Sequence, residues 1–289
     1  MKLGLTTESF CTAIQGGRMN LQKIIDFAGQ NNFEGLEIIN HRDVWRKDIG
    51  DDVKMNLARM RERKLRYYSY GVREDLLLVD EHMRWRAINK IREAILLASI
   101  TNVPNVCLMG TGINSEHAPS IQNWDEAYPV LIATLQDCLE LAERKRITLC
   151  LANGGKMLNG STRLLGLLQA LNSPHLKITF DVAAFLVVDE EPADAVRTLS
   201  DDIASVHFTD VRSSEAQADN QWITLQGRPL APCALGEGIV PQREVLYTLK
   251  QVGFDGFLCV LYQGEEEPAV GVERSVTYLK TMLREVRSA

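Results

Sequence analysis

Short apolar runs alternate along the chain with longer stretches whose apolar residues recur every three or four positions. Residues 2–5 form the first short run, and Asn20, a residue suited to an N-cap, precedes a helical spacing of Leu21, Ile24, Ile25 and Ala28. Short apolar runs are typical of buried strands, whereas a spacing of three and four is typical of an amphipathic helix. The start of the chain therefore predicts a strand followed by a helix.

This alternation continues to the end of the chain and predicts eight units of one strand and one helix. The predicted strands lie at residues 2–5, 35–39, 65–70, 105–109, 147–151, 177–180, 204–208 and 256–261. Strands that alternate with helices need crossover connections and therefore form a parallel sheet. Eight units predict an α/β fold, a single (β/α)8 TIM barrel, in preference to an open doubly wound sheet, although the spacing alone does not exclude the latter.

Two long stretches without a clear period follow predicted strands, at residues 110–123 and 212–235. In a TIM barrel the loops that follow strands lie at the C-terminal rim, where active sites form. Long loops at such a rim often act as lids. We therefore expect these two stretches to border a ligand site.

The composition is that of an ordinary globular protein: 289 residues, of which 45% are hydrophobic and 24% charged. One domain spanning residues 1–289 is the simplest fit. The six cysteines include no CxxC pair, and we expect buried free thiols in a reducing compartment. No secretory pattern opens the chain, and no apolar run approaches the roughly 18 residues of a membrane span. These features predict a cytoplasmic protein with no membrane partner.

The charge balance disfavours a polyanionic partner. The formal net charge is −6, and basic runs such as residues 59–66 and 84–92 are interrupted by apolar residues. Such runs fit the solvated faces of helices, whereas nucleic-acid binding needs a clustered basic surface. We therefore predict no nucleic-acid partner, and a homo-oligomer stays open.

Five segments along the chain share the pattern of one known family: residues 33–37 (FEGLE), 178–181 (ITFD), 206–210 (VHFTD), 235–241 (LGEGIVP) and 249–256 (LKQVGFDG). The last two are the most specific, and look like a glycine-rich turn, a helix and the entry to the final strand. Together the segments resemble the xylose-isomerase-like family of TIM barrels. That family includes sugar and sugar phosphate isomerases, ketose epimerases, inosose-handling enzymes and a branch of DNA-repair endonucleases.

Family members that isomerise or epimerise sugars hold one divalent metal ion, and the resemblance implies which residues correspond to its ligands. The aspartate after strand six and the histidine on strand seven correspond to Asp181 and His207. The two glutamates, after strands five and eight, correspond to Ala152 and Leu261. Hard cations are bound mainly through carboxylates. We therefore expect weak or absent metal binding at Asp181 and His207 and no tightly bound cofactor, with Mn²⁺ or Mg²⁺ only if other residues replace the glutamates.

The resemblance and the predicted strand ends together select the candidate site residues. Glu37, Asp181 and His207 are the predicted catalytic residues. The predicted substrate-binding residues lie on rim loops: Asn153, Lys156, Asp210, Tyr262 and Gln263. Strand alternation directs His207 into the barrel, because Val206 and Phe208 flank it. Structural roles stay open: a helix cap for Asp181, a buried core histidine for His207 and a rim salt bridge for Glu37.

Three functions are compatible with these residues. The first is a divergent isomerase or epimerase of a small sugar or polyol, in which a carboxylate removes a proton next to a carbonyl. The second is a non-catalytic barrel that binds a sugar or a protein partner. The third is a metal-free lyase or dehydratase. The DNA-repair branch is disfavoured, because it needs a cluster of ligands for several metal ions and the chain is acidic.

Four expectations concern the geometry and the metal content. Asp181 and His207 should face one pocket at the C-terminal mouth of the barrel, with Glu37 on its wall. Asp210 should cap the loop that follows it, while roles as a metal ligand or as a partner of His207 stay open. The purified protein should hold little tightly bound Mn²⁺, Mg²⁺ or Zn²⁺. His41 and His117 fall in predicted rim loops and are expected at the surface.

Overall fold

Eight parallel strands close into a barrel, and a helix follows nearly every strand. The computed structural model of the chain describes residues 1–40, 49–111, 120–215 and 221–288. In chain order the strands are β1 (Lys2–Thr6), β2 (Gly35–Ile39), β3 (Arg66–Arg73), β4 (Asn105–Met109), β5 (Thr148–Ala152), β6 (Leu176–Asp181), β7 (Ile203–Phe208), β8 (Asp210–Ser213), β9 (Trp222–Ile223), β10 (Pro229–Cys233) and β11 (Phe257–Val260). The barrel order is β1-β11-β7-β6-β5-β4-β3-β2, and β2 pairs with β1. The predicted TIM barrel is confirmed, and the open sheet is excluded.

Capping residues lie at the ends of several helices. In chain order the helices are α1 (Cys11–Gln15), α2 (Leu21–Gln30), α3 (Ile49–Glu62), α4 (Glu81–Thr101), α5 (Trp124–Lys145), α6 (Ser161–Leu171), α7 (Pro192–Leu199), α8 (Gln242–Gln251) and α9 (Pro268–Ser288). The side chain of Asn20 accepts a hydrogen bond from the backbone N–H of Lys23 at 2.9 Å, which confirms the predicted N-cap of α2. Helix α4 ends at Thr101, and its C-cap residue Asn102 has a left-handed φ of 57° that turns the chain away from the helix axis.

The two faces of strand β2 carry different kinds of side chain. Leu36 and Ile38 of β2 are buried in the main hydrophobic core, whereas Glu37 between them carries a charge. A hydrogen bond joins Glu37 to His207 of β7, and β1 and β11 separate these two strands in the barrel. The bond therefore crosses the interior of the barrel. Alternation thus places Leu36 and Ile38 against the helices and Glu37 inside the barrel.

Residues 212–235, expected to be irregular, carry a second sheet. Strands β8 and β9 pair antiparallel with β10, which lies between them. Strand β10 contains Pro229 and Pro232. Because proline lacks the N–H that an internal strand donates, no strand was predicted here. Because β8 follows β7 directly, this small sheet lies at the C-terminal rim of the barrel, where a ligand-site border was expected.

Several smaller expectations can also be compared with the structure. All six cysteines are free thiols, and all except Cys11 are buried. Within the described ranges, no helix combines the length and the hydropathy needed to cross a bilayer. His41 and His117 lie outside the described residues, as do residues 112–119 of the other long stretch.

Candidate functional site

A cavity of about 380 Å³ opens at the carboxyl ends of the barrel strands. The strand ends contribute six of its lining residues: Arg73 of β3, Met109 of β4, Ala152 of β5, Asp181 of β6, His207 of β7 and, directly after β11, Leu261. Asn153 and Lys156 line it from the loop after β5, and Gln263 from the loop after β11. Trp222 and Ile223 of β9 complete one wall. The position matches the face on which TIM barrels bind ligands.

An ion pair between His207 and Glu37 lies behind the cavity wall. Nε2 of His207 contacts Oε1 of Glu37 at 2.7 Å, and both side chains are buried. Desolvation raises the pKa of Glu37, but the charge of His207 and the hydrogen bond to it outweigh desolvation, so the pKa is lowered. Desolvation lowers the pKa of His207, and the carboxylates of Glu37 and Asp181 reverse this, so the pKa is raised. Each partner therefore favours the charged form of the other.

Glu37 was expected on the cavity wall, and the structure places it elsewhere. In the described part of the chain, His207 lines the cavity, whereas Glu37 does not. The reason is that Glu37 points into the interior of the barrel, where its carboxylate contacts Nε2 of His207. A ligand in the cavity would therefore contact His207 directly and Glu37 only through it.

The carboxylate of Asp181 is held in place at the end of β6. Its Oδ1 accepts hydrogen bonds from the hydroxyl of Thr209 at 2.6 Å and from the backbone N–H of Ala184 at 3.1 Å. Asp181 and His207 are register partners on adjacent strands and line the same cavity, as expected. Burial raises the pKa of Asp181, and the positive charge of His207 opposes that shift only in part. A carboxylate with a raised pKa is a stronger base than an ordinary one.

The side-chain amide of Asn153 holds the end of β6 in position. Its Oδ1 accepts a hydrogen bond from the backbone N–H of Asp181 at 2.7 Å, and its Nδ2 donates to the backbone carbonyl of Asp181 at 3.1 Å. The Nδ2 group also donates to Oδ1 of Asn159 at 3.3 Å. Asn153 lines the cavity, but these contacts make it a residue that orients Asp181.

Of the other predicted substrate-binding residues, Lys156 and Gln263 line the cavity, whereas Asp210 and Tyr262 do not. The carboxylate of Asp210 accepts hydrogen bonds of 2.8 to 3.3 Å from four backbone N–H groups, those of Val211, Gly236, Gly238 and Val240. Asp210 thereby organises the glycine-rich turn. The hydroxyl of Tyr262 accepts a hydrogen bond from the backbone N–H of Glu266 at 3.0 Å. The contacts of these two side chains are structural.

Sequence reasoning missed two prominent residues of the wall, Arg73 and Trp222. Arg73 is the last residue of β3, which extends three residues beyond its predicted end at Tyr70. Its Nη1 donates to Oε1 of Glu8 at 2.6 Å, while the Arg73 side chain stays 48% exposed. Trp222 belongs to the small sheet that the sequence did not predict. A charged residue at the end of a barrel strand was the signal that could have identified Arg73.

One group of described residues brings three metal-ligand atoms together. Glu37, Cys107 and His207 place these atoms within 4.8 Å of one another, and all three residues are buried. Oε2 of Glu37 has no partner at full hydrogen-bond geometry among the described residues, although Thr6 and Ser69 lie near enough to lower its pKa. Burial raises the pKa of the Cys107 thiol well above its usual value. A soft ion such as Zn²⁺ would therefore require loss of the thiol proton and of the Glu37–His207 bond.

The chain matches a known family in sequence. The sequence model of the family described as xylose isomerase-like TIM barrel matches residues 25–282. No curated protein matches the chain in sequence. The matched range includes all the barrel strands from β2 to β11 and every residue of the cavity described above.

Solved structures share the fold at low sequence identity. A D-tagatose 3-epimerase-like protein is 22% identical, with a TM-score of 0.74 and coverage of 100% of this chain and 99% of that one. The probable 3-DHS dehydratase AsbF from Bacillus anthracis is 19% identical, with a TM-score of 0.76 and coverage of 97% and 99%. The IOLI protein, solved with a bound zinc atom, is 15% identical, with a TM-score of 0.78 and coverage of 99% and 98%. At these identities the likeness establishes the fold alone.

Proposed function

Because the chain belongs to the xylose isomerase-like TIM barrel family, we propose that its cavity binds a small sugar or polyol. We infer further that it moves a proton within this ligand, as an isomerase or epimerase does, without the hard divalent ion of the family. The observation that carries the proposal is that Asp181 and His207 share the cavity with Ala152 and Leu261. Asp181 and His207 can both transfer protons. Ala152 and Leu261, which by resemblance stand at the two other metal-ligand positions, are aliphatic.

The residues present do not fit a Mn²⁺ or Mg²⁺ ion bound in the family's manner. By resemblance, Ala152 and Leu261 stand where the two metal-binding glutamates belong, and neither side chain has a donor atom. Oδ1 of Asp181 already accepts two hydrogen bonds, and Nε2 of His207 is engaged by Glu37. One carboxylate and one imidazole supply too few oxygen ligands and too little charge for a hard cation. The proposed reaction therefore contains no step through a metal ion.

Asp181 and His207 have complementary properties for chemistry next to a carbonyl group. The carboxylate of Asp181 accepts the proton from the carbon beside the carbonyl, and the C–H electron pair moves toward the carbonyl oxygen. His207, held at Nε2 by Glu37, offers Nδ1 to that oxygen and stabilises its negative charge as an imidazolium. Asp181 then returns the proton to the neighbouring carbon, while His207 shifts a proton between the two oxygens. The result is an isomerised sugar and an unchanged protein.

Two other functions would use the same cavity. A non-catalytic barrel needs only the binding surface. A lyase or dehydratase would begin with the same proton removal and would then expel a hydroxyl group as water. The structural likeness to a probable dehydratase is the reason to test for a lyase or dehydratase reaction. The three functions differ in what happens to the ligand, and the products distinguish them.

The test is exchange of the hydrogen next to the carbonyl, followed by proton NMR in D₂O. Chelator-treated protein is incubated with a panel of ketoses, aldoses and inososes. We expect one C–H signal to disappear for at least one of these compounds. Asp181→Asn should slow the exchange by about 100-fold or more, since general base catalysis contributes about 10²–10⁴-fold. The exposed carboxylate variant Asp201→Asn is the matched control and should exchange at the parent rate.

The outcomes separate the alternatives. Binding without exchange would favour the non-catalytic barrel, and loss of water from the ligand would favour the dehydratase. Exchange that appears only after Mn²⁺ is restored would contradict the metal-free reaction. Failure to bind any sugar or polyol would overturn the proposal as a whole.

A further inference from the structure

We propose that the ligand of this cavity carries an anionic group, which Arg73 and Lys156 bind at the rim. The inference rests on the proposed function and specifies its substrate class as a sugar or polyol derivative with a carboxylate or phosphate group. Both side chains line the cavity. Both are exposed at its mouth, in contrast to Asp181, which is only 8% exposed.

Among the described residues at the rim, two cations, Arg73 and Lys156, face one paired carboxylate, that of Glu8. The charged residues among the described lining residues are Asp181, His207, Arg73 and Lys156. Glu37 pairs with His207 and Glu8 pairs with Arg73, but Lys156 forms no ion pair with the described residues. The ammonium group of Lys156, which has no acidic partner in the described part of the chain, therefore attracts an anion that enters the cavity.

Arg73 keeps hydrogen-bond donors for a ligand despite its ion pair. Only its Nη1 contacts Glu8, and the side chain stays 48% exposed. A guanidinium group carries five N–H donors, so the remaining ones can bind a carboxylate or phosphate in two-pronged fashion. Gln263 on the same wall adds an uncharged amide. Arg73 and Lys156 thus combine a directional donor with a point charge.

The aliphatic residues of the wall remove the main obstacle to an anionic ligand. Carboxylates at positions 152 and 261 would repel such a ligand unless a cation neutralised them. Ala152 and Leu261 line the cavity in their place, and they bring no charge. The only acidic group left among the described lining residues is Asp181. Asp181 lies at the end of β6, whereas the cations Arg73 and Lys156 lie at the rim.

The volume and the lining of the cavity suit a single sugar unit with one charged end. Its volume of about 380 Å³ lies at the small end of ligand pockets. Met109, Leu261 and Trp222 supply apolar surface for a carbon skeleton. Lys156 also lines a neighbouring cavity of about 490 Å³, so a group bound to it has room beyond the first cavity.

The experiment compares matched neutral and anionic probes by isothermal titration calorimetry on the full chain. The probes are glucose, glucuronate and glucose 6-phosphate, so that the two anionic arms distinguish a carboxylate from a phosphate. We expect at least one anionic probe to bind about tenfold or more tightly than glucose, which corresponds to one charge-assisted hydrogen bond. Added salt should weaken that preference.

Two variants assign the preference to the rim. Lys156→Met should remove most of the preference, measured as the ratio of anionic-probe affinity to glucose affinity. Lys145→Met, an equal charge change at an exposed position of α5, should leave this ratio at the parent value. Arg73→Gln should weaken the anionic probe as well, and Lys156→Met keeps the test valid if loss of the Glu8 partner unfolds that variant. Glucose binding equal to or tighter than both anions, or a preference that survives Lys156→Met, would overturn this inference and leave the proposed function standing. Failure of all three probes, and of the wider sugar panel, would overturn both.

Discussion

The ion pair between Glu37 and His207 is the residue-scale feature on which the barrel interior depends. Each charge would be costly alone in a buried site, and each is stabilised by the other across the barrel. Asp181, beside His207 on the neighbouring strand, adds a second negative group to the same ring. The interior is thus a small charged network, and its stability should vary with pH.

We expect Glu37→Gln to destabilise the fold by on the order of 3 kcal/mol, because removal of one partner of a buried pair costs about 3–5 kcal/mol and glutamine keeps one acceptor oxygen. Folding raises the pKa of His207 above 6.5, so the charged ring stabilises the fold fully below that pH, and the contribution is lost as pH rises through the folded-state pKa. Folding lowers the pKa of Glu37 below 4.5, so its contribution is present above that pH and is lost as pH falls through the folded-state pKa. The loss in the variant should therefore be largest between about pH 4.5 and 6.5.

Urea unfolding of parent and variant from pH 4 to pH 9 measures this difference directly. Glu62→Gln, at an exposed position on α3, is the control and should change stability by less than about 0.5 kcal/mol. A loss of the same size at every pH would show that Glu37 acts through packing and not through its charge.

The sequence predicted the direction of His207 but not its partner. Alternation with Val206 and Phe208 turns the ring inward, and this is local information. The contact with Glu37 depends on how β2 and β7 are placed once the barrel closes, which no local pattern contains. Asp210 was a plausible site residue because it follows a barrel strand. Its carboxylate is instead taken by backbone N–H groups of the turn at residues 236–240, which the sequence does not reveal.

At the scale of elements, the predicted strands coincide with the observed ones to within about three residues. Strands β2 and β4 have the predicted bounds, since a continuous apolar run and clear flanking residues define them. Strand β3 is longer than predicted because its charged last residue, Arg73, breaks the apolar pattern. The small sheet was missed because prolines in β10 argue against a strand. The position of the cavity therefore could be predicted from the sequence, while part of its wall could not.

The glycine-rich turn before α8 gives an element-scale prediction. A Cβ atom at Gly238 would lie 2.1 Å from Oδ1 of Asp210 and 2.3 Å from the backbone oxygen of Val211. Gly238→Ala should therefore displace the Asp210 carboxylate and destabilise the fold by about 1–3 kcal/mol. The matched variant is Gly166→Ala on α6, where a Cβ atom meets nothing within 4 Å. That substitution should stabilise the fold by about 0.5–1 kcal/mol, since alanine favours a helix over glycine.

Equilibrium unfolding in urea compares the two alanine variants with the parent. The signs of the two changes should be opposite. If Gly238→Ala were as stable as the parent, Asp210 would not be holding the turn in the way that its four hydrogen bonds indicate.

At the scale of the whole molecule, the barrel brings four positions from separate strands to one cavity. Two of them, Asp181 and His207, keep polar groups, and two, Ala152 and Leu261, are aliphatic. The central claim is that the aliphatic positions are those of the family's metal-binding glutamates. The fold supports this claim because β5 and β11 deliver them to the same cavity as β6 and β7. A direct test is to introduce glutamates at both positions.

The double variant Ala152→Glu with Leu261→Glu should create a site with three carboxylates and one imidazole, the ligand set that a hard divalent ion requires. Without metal it should be less stable than the parent, because three carboxylates in one buried cavity repel and resist desolvation. Mn²⁺ binds only the folded state and should offset this loss, by about 4 kcal/mol at a thousand times the Kd.

The decisive measurement is the melting temperature of parent and double variant across a Mn²⁺ titration. The account predicts that the melting temperature of the variant climbs with Mn²⁺ concentration while that of the parent scarcely moves. Equal responses of the two proteins would contradict the assignment of positions 152 and 261 to the metal site.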